Sequence, residues 1–335
     1  VAFAIGLGVL GAVFLWSRVR IARAQAANRA ARQALFSSGD WDEALRVLPQ
    51  VEAFYGSDSG SALYIRVNAL HGRGNVAEAV EAARALLRFS APLSLPNAAI
   101  NAFISAGLYA EAVEVGQQPY KSFRSAEWAL VQVNLAEALY NLGQWKEAWE
   151  LLEGLDDLAA PSPIAADGLA IQRAWILAHQ GKGTEALAEL EKADRGGIPP
   201  IFQTETHYAR GAAHLAAGQP AEALAEIEQG AKVALRVSSQ RNALFMRARV
   251  ALAQGRLDEA EHLCREASAH PYRGQGGDGL LLWGDILERL NRSGEAVEAW
   301  RLAVERDPQS ESARLAGERL PLLTDGAAAW GRSCE

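Results

Sequence analysis

One six-residue pattern governs this chain. Glycine, any residue, an apolar or aromatic residue, any residue and then Glu-Ala recurs as GDWDEA (39–44), GNVAEA (74–79), GLYAEA (107–112) and GQWKEA (143–148). With looser third positions it continues as GKGTEA (181–186), GQPAEA (218–223) and GRLDEA (255–260), and NRSGEA (291–296) is an eighth copy with asparagine for the glycine. Successive copies lie 33–38 residues apart, a period of stacked small units rather than of one globular core. Each copy predicts a tight turn between antiparallel helices. The glycine or asparagine ends one helix by accepting a left-handed backbone. The glutamate falls in the first turn of the next helix, where the helix dipole favours negative charge, and the alanine lets neighbouring helices approach. Apolar residues at helical spacing flank the turns, as in Leu130, Val133, Leu135, Leu139 and Tyr140 upstream and Leu187, Leu190 and Ala193 downstream.

These features resemble the tetratricopeptide repeat family, whose unit is a 34-residue helix pair with small residues where helices cross. The resemblance covers residues 25–310. The small residue seven before the turn is matched by Ala136, Ala174, Gly211, Ala248 and Gly284, the one twelve after it by Ala193, Gly230, Ala267 and Ala303, and the terminal proline by Pro308. Pro92, Pro161, Pro199 and Pro271 come one residue late. The first three copies depart: Arg32, Val67 and Ile100 take the small position, and Pro119 falls inside the expected second helix of the third, which should end early. Turn-rich linkers at 159–168, 194–203 and 270–279 fall between hairpins. The resemblance thus implies an all-α, right-handed superhelical solenoid of eight hairpins over 25–310, with a capping helix at 311–320 and a flexible tail at 321–335.

Ahead of the array, Val1–Trp16 carries no charged side chain, and Arg18, Arg20, Arg23, Arg29 and Arg32 follow without an acid. Sixteen helical residues span about 24 Å, short of a hydrocarbon layer of roughly 30 Å. The run reaches across if Val19 and Ile21 join it, with Arg18 and Arg20 snorkelling to the headgroups and Trp16 at the interface. The expectation is a transmembrane anchor at 1–16 and a basic juxtamembrane segment at 17–24. A secretory signal would place its positive charge before the apolar run. Arginines on its carboxyl side put the array on the cytoplasmic side of an inner membrane. Ala4, Gly8 and Ala12 form a small-residue ladder suited to pairing two anchors into a homo-oligomer. The architecture is similar to a membrane-anchored bacterial type of repeat protein. Members that act in envelope lipid regulation end in a cysteine-rich metal module, whereas this chain ends in a single Cys334.

Composition removes several functions. Beyond residue 33 the chain holds 28 bases against 40 acids, the wrong balance for a nucleic-acid partner. Two cysteines, Cys264 and Cys334, make neither a disulfide framework nor a zinc clamp. GQGGDG (274–279) fits the dinucleotide pattern by letter but follows no strand. GKGT (181–184) has Ile176 and Gly183 where a phosphate loop needs glycine and a hydroxyl. His207 with His214, and His262 with Cys264, lack a third ligand at metal spacing. The sequence offers no catalytic centre, cofactor or metal site.

The family's groove positions, ten and six residues before each turn residue, carry over to Arg29 and Gln33, Tyr64 and Asn68, Asn97 and Asn101, Val133 and Glu137, Ile171 and Trp175, Tyr208 and Ala212, Phe245 and Arg249, and Leu281 and Asp285. The amides suit the backbone of an extended peptide, and Tyr140, Trp175, Tyr208 and Phe245 suit apolar anchors. No lysine occupies these positions, so a clamp for carboxylate tails is not expected. The expectation is a membrane-tethered, non-enzymatic scaffold that holds a protein or peptide in its concave groove. The alternative is an anchored assembly or quality-control subunit of an envelope biogenesis complex.

Overall fold

The computed structural model describes residues 2–89, 94–118, 125–192, 200–272, 274 and 276–330. Among these, regular structure is helical throughout. The first hairpin joins α1 (Ala2–Gln33), through a wide π-turn at Ala34–Ser38, to α2 (Trp41–Tyr55). The next three pair α3 (Gly60–Arg73) with α4 (Val76–Leu86), α5 (Ser94–Ser105) with α6 (Tyr109–Gly116), and α7 (Ala126–Asn141) with α8 (Trp145–Leu152). A single turn, α9 (Asp156–Ala159), leads into α10 (Pro163–His179) with α11 (Gly183–Glu191) and α12 (Pro200–Ala216) with α13 (Pro220–Lys232). The last pairs are α14 (Val237–Ala253) with α15 (Leu257–Ala269) and α16 (Gly277–Arg289) with α17 (Ser293–Arg306), followed by α18 (Glu311–Trp330).

The repeated turn behaves as its chemistry dictates. All seven turn glycines from Gly39 to Gly255 have φ between 62° and 81°, and Asn291 joins them at 59°. In seven turns the residue after the turn residue donates to the carbonyl five back, as Gln144 N to Leu139 O at 2.9 Å, capping the first helix. The first turn instead spans six, Asp40 N to Ala34 O, which is one residue more than the others. The alanine of every Glu-Ala pair is at most 1% exposed, so each sits at a helix crossing. Glycines at other crossings lie under aromatic rings. A Cβ on Gly284 would stand 2.2 Å from the Trp300 indole, one on Gly230 2.6 Å from Tyr208, and one on Gly72 2.3 Å from Trp41. Ser59, Ser125 and Ser162 start α3, α7 and α10, their side chains accepting from backbone amides three residues on.

The departures in the first three copies are accommodated locally. Val67 and Ile100 are buried and fill the space that alanine leaves elsewhere, while Arg32 lies over the Tyr64 ring at 4.9 Å. The helix α6 stops at Gly116, ahead of Pro119, which with Ala193 lies outside the described residues. At the carboxyl end α18 continues past Leu320 to Trp330. At the amino end, residues 2–33 form one helix without a break between the expected anchor and the array. The side chains of 1–15, with the Ala4, Gly8 and Ala12 ladder, lie outside the described residues, and among those described no helix is long and apolar enough to cross a membrane. Arg20, expected to reach toward headgroups, instead donates to the Ala53 carbonyl at 3.1 Å and lies over Phe54.

The array also touches itself. Residues 34–38 of the first hairpin pack on α12 of the sixth, and α3 of the second packs on α14 of the seventh. Tyr109, opening α6, donates its hydroxyl to Asp307 Oδ2 at 3.1 Å, just past α17. Gln309 accepts from Ala110 N at 2.9 Å, and Gly143 lies against Glu311. One superhelical turn therefore takes five hairpins, and a polar seam joins successive turns.

Candidate functional site: an enclosed lumen

Because the turns meet, the concave face is a sheltered cavity, still open to solvent on part of its surface. It forms a cavity of about 340 Å³ walled by the first helices of the second to eighth hairpins and by the seam. Nine of the expected groove residues line it: Asn101, Val133, Glu137, Tyr140, Ile171, Trp175, Tyr208, Phe245 and Arg249. The other positions do not, among them three from the second and third hairpins. Tyr64 packs on Phe36 and Arg32, Asn68 donates to the Tyr64 carbonyl at 2.8 Å, and the Asn97 side-chain carbonyl accepts from Asn134 Nδ2 at 2.5 Å. The side chains of these three are taken up by neighbouring groups instead of facing the cavity.

Lining residues differ in what they offer. Tyr208 is 2% exposed and donates to the Ser239 carbonyl at 2.9 Å, and Phe245 fills the space left by Gly279, so both are wall structure. Trp175, Tyr140, Asn101 and Arg249 keep accessible surface. A third row, thirteen residues before the turn, also faces inward: Leu130, Gly168, Glu205, Asn242 and Asp278. Its constant offset was available in the sequence, since thirteen residues and the groove offsets of ten and six fall on one helical face. By contrast Tyr109, Arg241 and Asp307 line the cavity only because distant hairpins converge, and no local spacing marks them.

The lumen's electrostatics follow from enclosure. Burial, reinforced by Glu205, pushes the Glu137 carboxyl up to about 7 against the pull of Arg236. Glu205 is likewise raised, chiefly by burial, with Arg236 and a hydrogen bond from Ser239 opposing. Burial and then Arg236 hold His71 down to about 3, so its ring is neutral beside the Ser105 hydroxyl at 2.7 Å. Burial lowers Arg241 to about 10. Asp307 is raised by burial although the Gly276 and Gly277 amides and Tyr109 all donate to it.

The sequence motifs set aside above have structural duties. Gly277 and Gly279 open α16 and pack on Asp307 and Phe245. Gly183 meets the backbone of α12, where a Cβ would lie 2.3 Å from Ala217 N. His207 pairs with Glu226 at 2.7 Å and His214 with Gln219 at 2.7 Å. Cys264 is buried and its thiol is pushed up to about 12. Among the described residues no group of three or more His, Cys, Asp or Glu is placed to hold a metal ion.

Two family models described as Tetratricopeptide repeat match the sequence, one over residues 29–93 and 208–273 and the other over 129–153 and 168–192, together more than half of the chain. No curated protein matches it. Among solved structures it is similar to the APC/C hetero-tetramer Cut9–Hcn1, with a TM-score of 0.62 and 14% identity over 89% of this chain and 57% of that one. The chain thus spans little more than half the length of that relative. A tetratricopeptide repeat protein from Parabacteroides merdae gives a TM-score of 0.49 and 13% identity, covering 78% of this chain and 98% of that one. PilW, a type IV pilus biogenesis factor, gives 0.43 and 18%, covering 67% and 97%. At these identities the likeness to Cut9 is one of fold, and the two lower scores add nothing to it.

Proposed function

The chain belongs to the tetratricopeptide repeat family, and we propose that it is a membrane-tethered scaffold that holds a protein or peptide partner inside its superhelical turn. The observation that carries this reading is the lumen. Its volume falls in the range of ligand pockets, and its lining combines amides such as Asn101 with the accessible rings of Trp175 and Tyr140. Such a surface pairs an extended backbone with hydrogen bonds and seats an apolar side chain. The tether rests on the uncharged Val1–Trp16 run and on exposed apolar residues at and just past its end: Trp16 is 64% exposed, and Val19 and Ile21 are each 42% exposed. Confinement at a bilayer would raise the effective concentration of a partner held there.

Affinity capture with the full-length chain tests the lumen. Trp175→Ala should lose the partner, and equal recovery by both forms ends the reading. Flotation with vesicles of phosphatidylethanolamine and phosphatidylglycerol tests the tether, which fails if the full-length chain stays at the bottom of the gradient. For the cytoplasmic placement, a membrane-impermeant thiol reagent serves well because Cys264 is buried. Labelling of Cys334 in intact cells would contradict it.

A further inference from the structure

The row six residues before the turns runs around the lumen and changes character at its middle. Asn101 on α5, Glu137 on α7 and Trp175 on α10 hold three consecutive places in it, and all three line the cavity. Elsewhere on the wall the charged groups have at least one polar partner. Arg249 faces Asp278 at 3.8 Å, and Arg236 faces Glu205 at 3.8 Å. Arg241 donates to the Gly274 carbonyl at 3.1 Å and to Asn242 at 3.3 Å, with its guanidinium over the Tyr272 and Phe245 rings. Asp307 is held by two backbone amides and a tyrosine.

Glu137 differs from all of these. Among the described residues its carboxyl has no hydrogen bond or ion pair; the charges that act on it are Glu205, of the same sign, and Arg236, which already faces Glu205. Glu137 is half-buried, and the surface it retains opens into the lumen. Gly168, one helix back from Glu205 in the neighbouring row, has no side chain, and a Cβ there would meet only ordinary contacts with Val133 and Leu130. An enclosed acid without a counter-ion is costly unless a ligand supplies one.

The geometry points to a cation subsite in which Glu137, flanked by the Asn101 amide and the Trp175 indole, receives the ammonium or guanidinium group of a lysine or arginine side chain on the bound peptide. Each neighbour suits that charge: the carboxylate and the amide oxygen accept its N–H groups, and the indole face attracts a cation. An acidic ligand has no comparable seat, since the arginines already have partners. This inference rests on the proposed occupation of the lumen by a peptide and adds the chemistry of one anchor.

Calorimetry on the full-length protein in detergent micelles tests it, using blocked alanine–glycine heptapeptides with one central Lys, Gln or Glu. The Lys peptide should bind at least about tenfold tighter than the Gln peptide, with the Glu peptide weaker still. Glu137→Gln should bring the Lys and Gln peptides within about twofold of each other, while Glu150→Gln, on the outer face of α8, should change neither. Equal binding of Lys and Gln peptides to the wild type overturns the subsite, as does a Lys preference that survives Glu137→Gln. If all three peptides bind alike and Trp175→Ala abolishes binding, the subsite is wrong and the lumen reading stands. If no peptide binds, both fall.

Discussion

Along the chain, neighbouring hairpins meet through alanines and glycines tucked under aromatic rings. Across the superhelical turn, hairpins five apart meet through carboxylates, tyrosine hydroxyls and backbone amides. Gly284 beneath Trp300 represents the first kind, and Asp307 accepting from Tyr109 with Gln309 accepting from Ala110 N the second. The stack is dry and without slack, so it follows the rules of core packing. Between the third and eighth hairpins the seam is polar, and exposing it to water replaces its hydrogen bonds instead of leaving them unmade. A molecule built this way can part at the seam while its hairpins stay folded, and the lumen opens when it does.

A stack without slack cannot tolerate bulk. Gly284→Leu drives a side chain into the Trp300 ring, which is 1% exposed, and should cost about 3 kcal/mol or more in urea unfolding. A loss below about 1 kcal/mol would mean that the crossing has slack. Closure of the seam is tested next, through the acid it encloses. Glu137 ionises near 7 in the fold against an ordinary 4.5. Its contribution is therefore fully present below pH 4.5 and is lost as pH rises through 7. Glu137→Gln should leave stability nearly unchanged at pH 4 and raise it by roughly 2–3 kcal/mol at pH 8. The same offset at both pH values would show that the lumen is wet. The smallest effect belongs to the seam itself. Asp307→Ala strands three donors and should cost about 2 kcal/mol. Hydrogen exchange should rise at the starts of α6 and α16 and stay unchanged at the α12–α13 crossing. Uniform loss of protection would show that seam and stack are one cooperative unit.

Local chemistry was legible in the sequence and long-range closure was not. The left-handed turns, the buried alanines, the early stop of α6 before Pro119 and the helix face turned to the cavity all follow from spacings within one or two hairpins. Tyr64, Asn68 and Asn97 occupy that face, yet they do not line the lumen. That outcome depends on how small rotations add over five hairpins, and no single repeat encodes the sum. The π-turn at 34–38 escaped notice for a related reason. GDWDEA reads like its siblings, and the extra residue lies upstream of it, in a stretch with no signature.

A five-hairpin turn whose coils touch also fixes the number of units. An open rod can gain or lose a hairpin and merely change length. Here an insertion between the third and eighth hairpins would carry Asp307 past Tyr109, bring the wrong loops face to face and leave the interior ajar. Copy number in this molecule is a matter of phase, and duplication, the ordinary way such arrays grow, is the change it can least absorb.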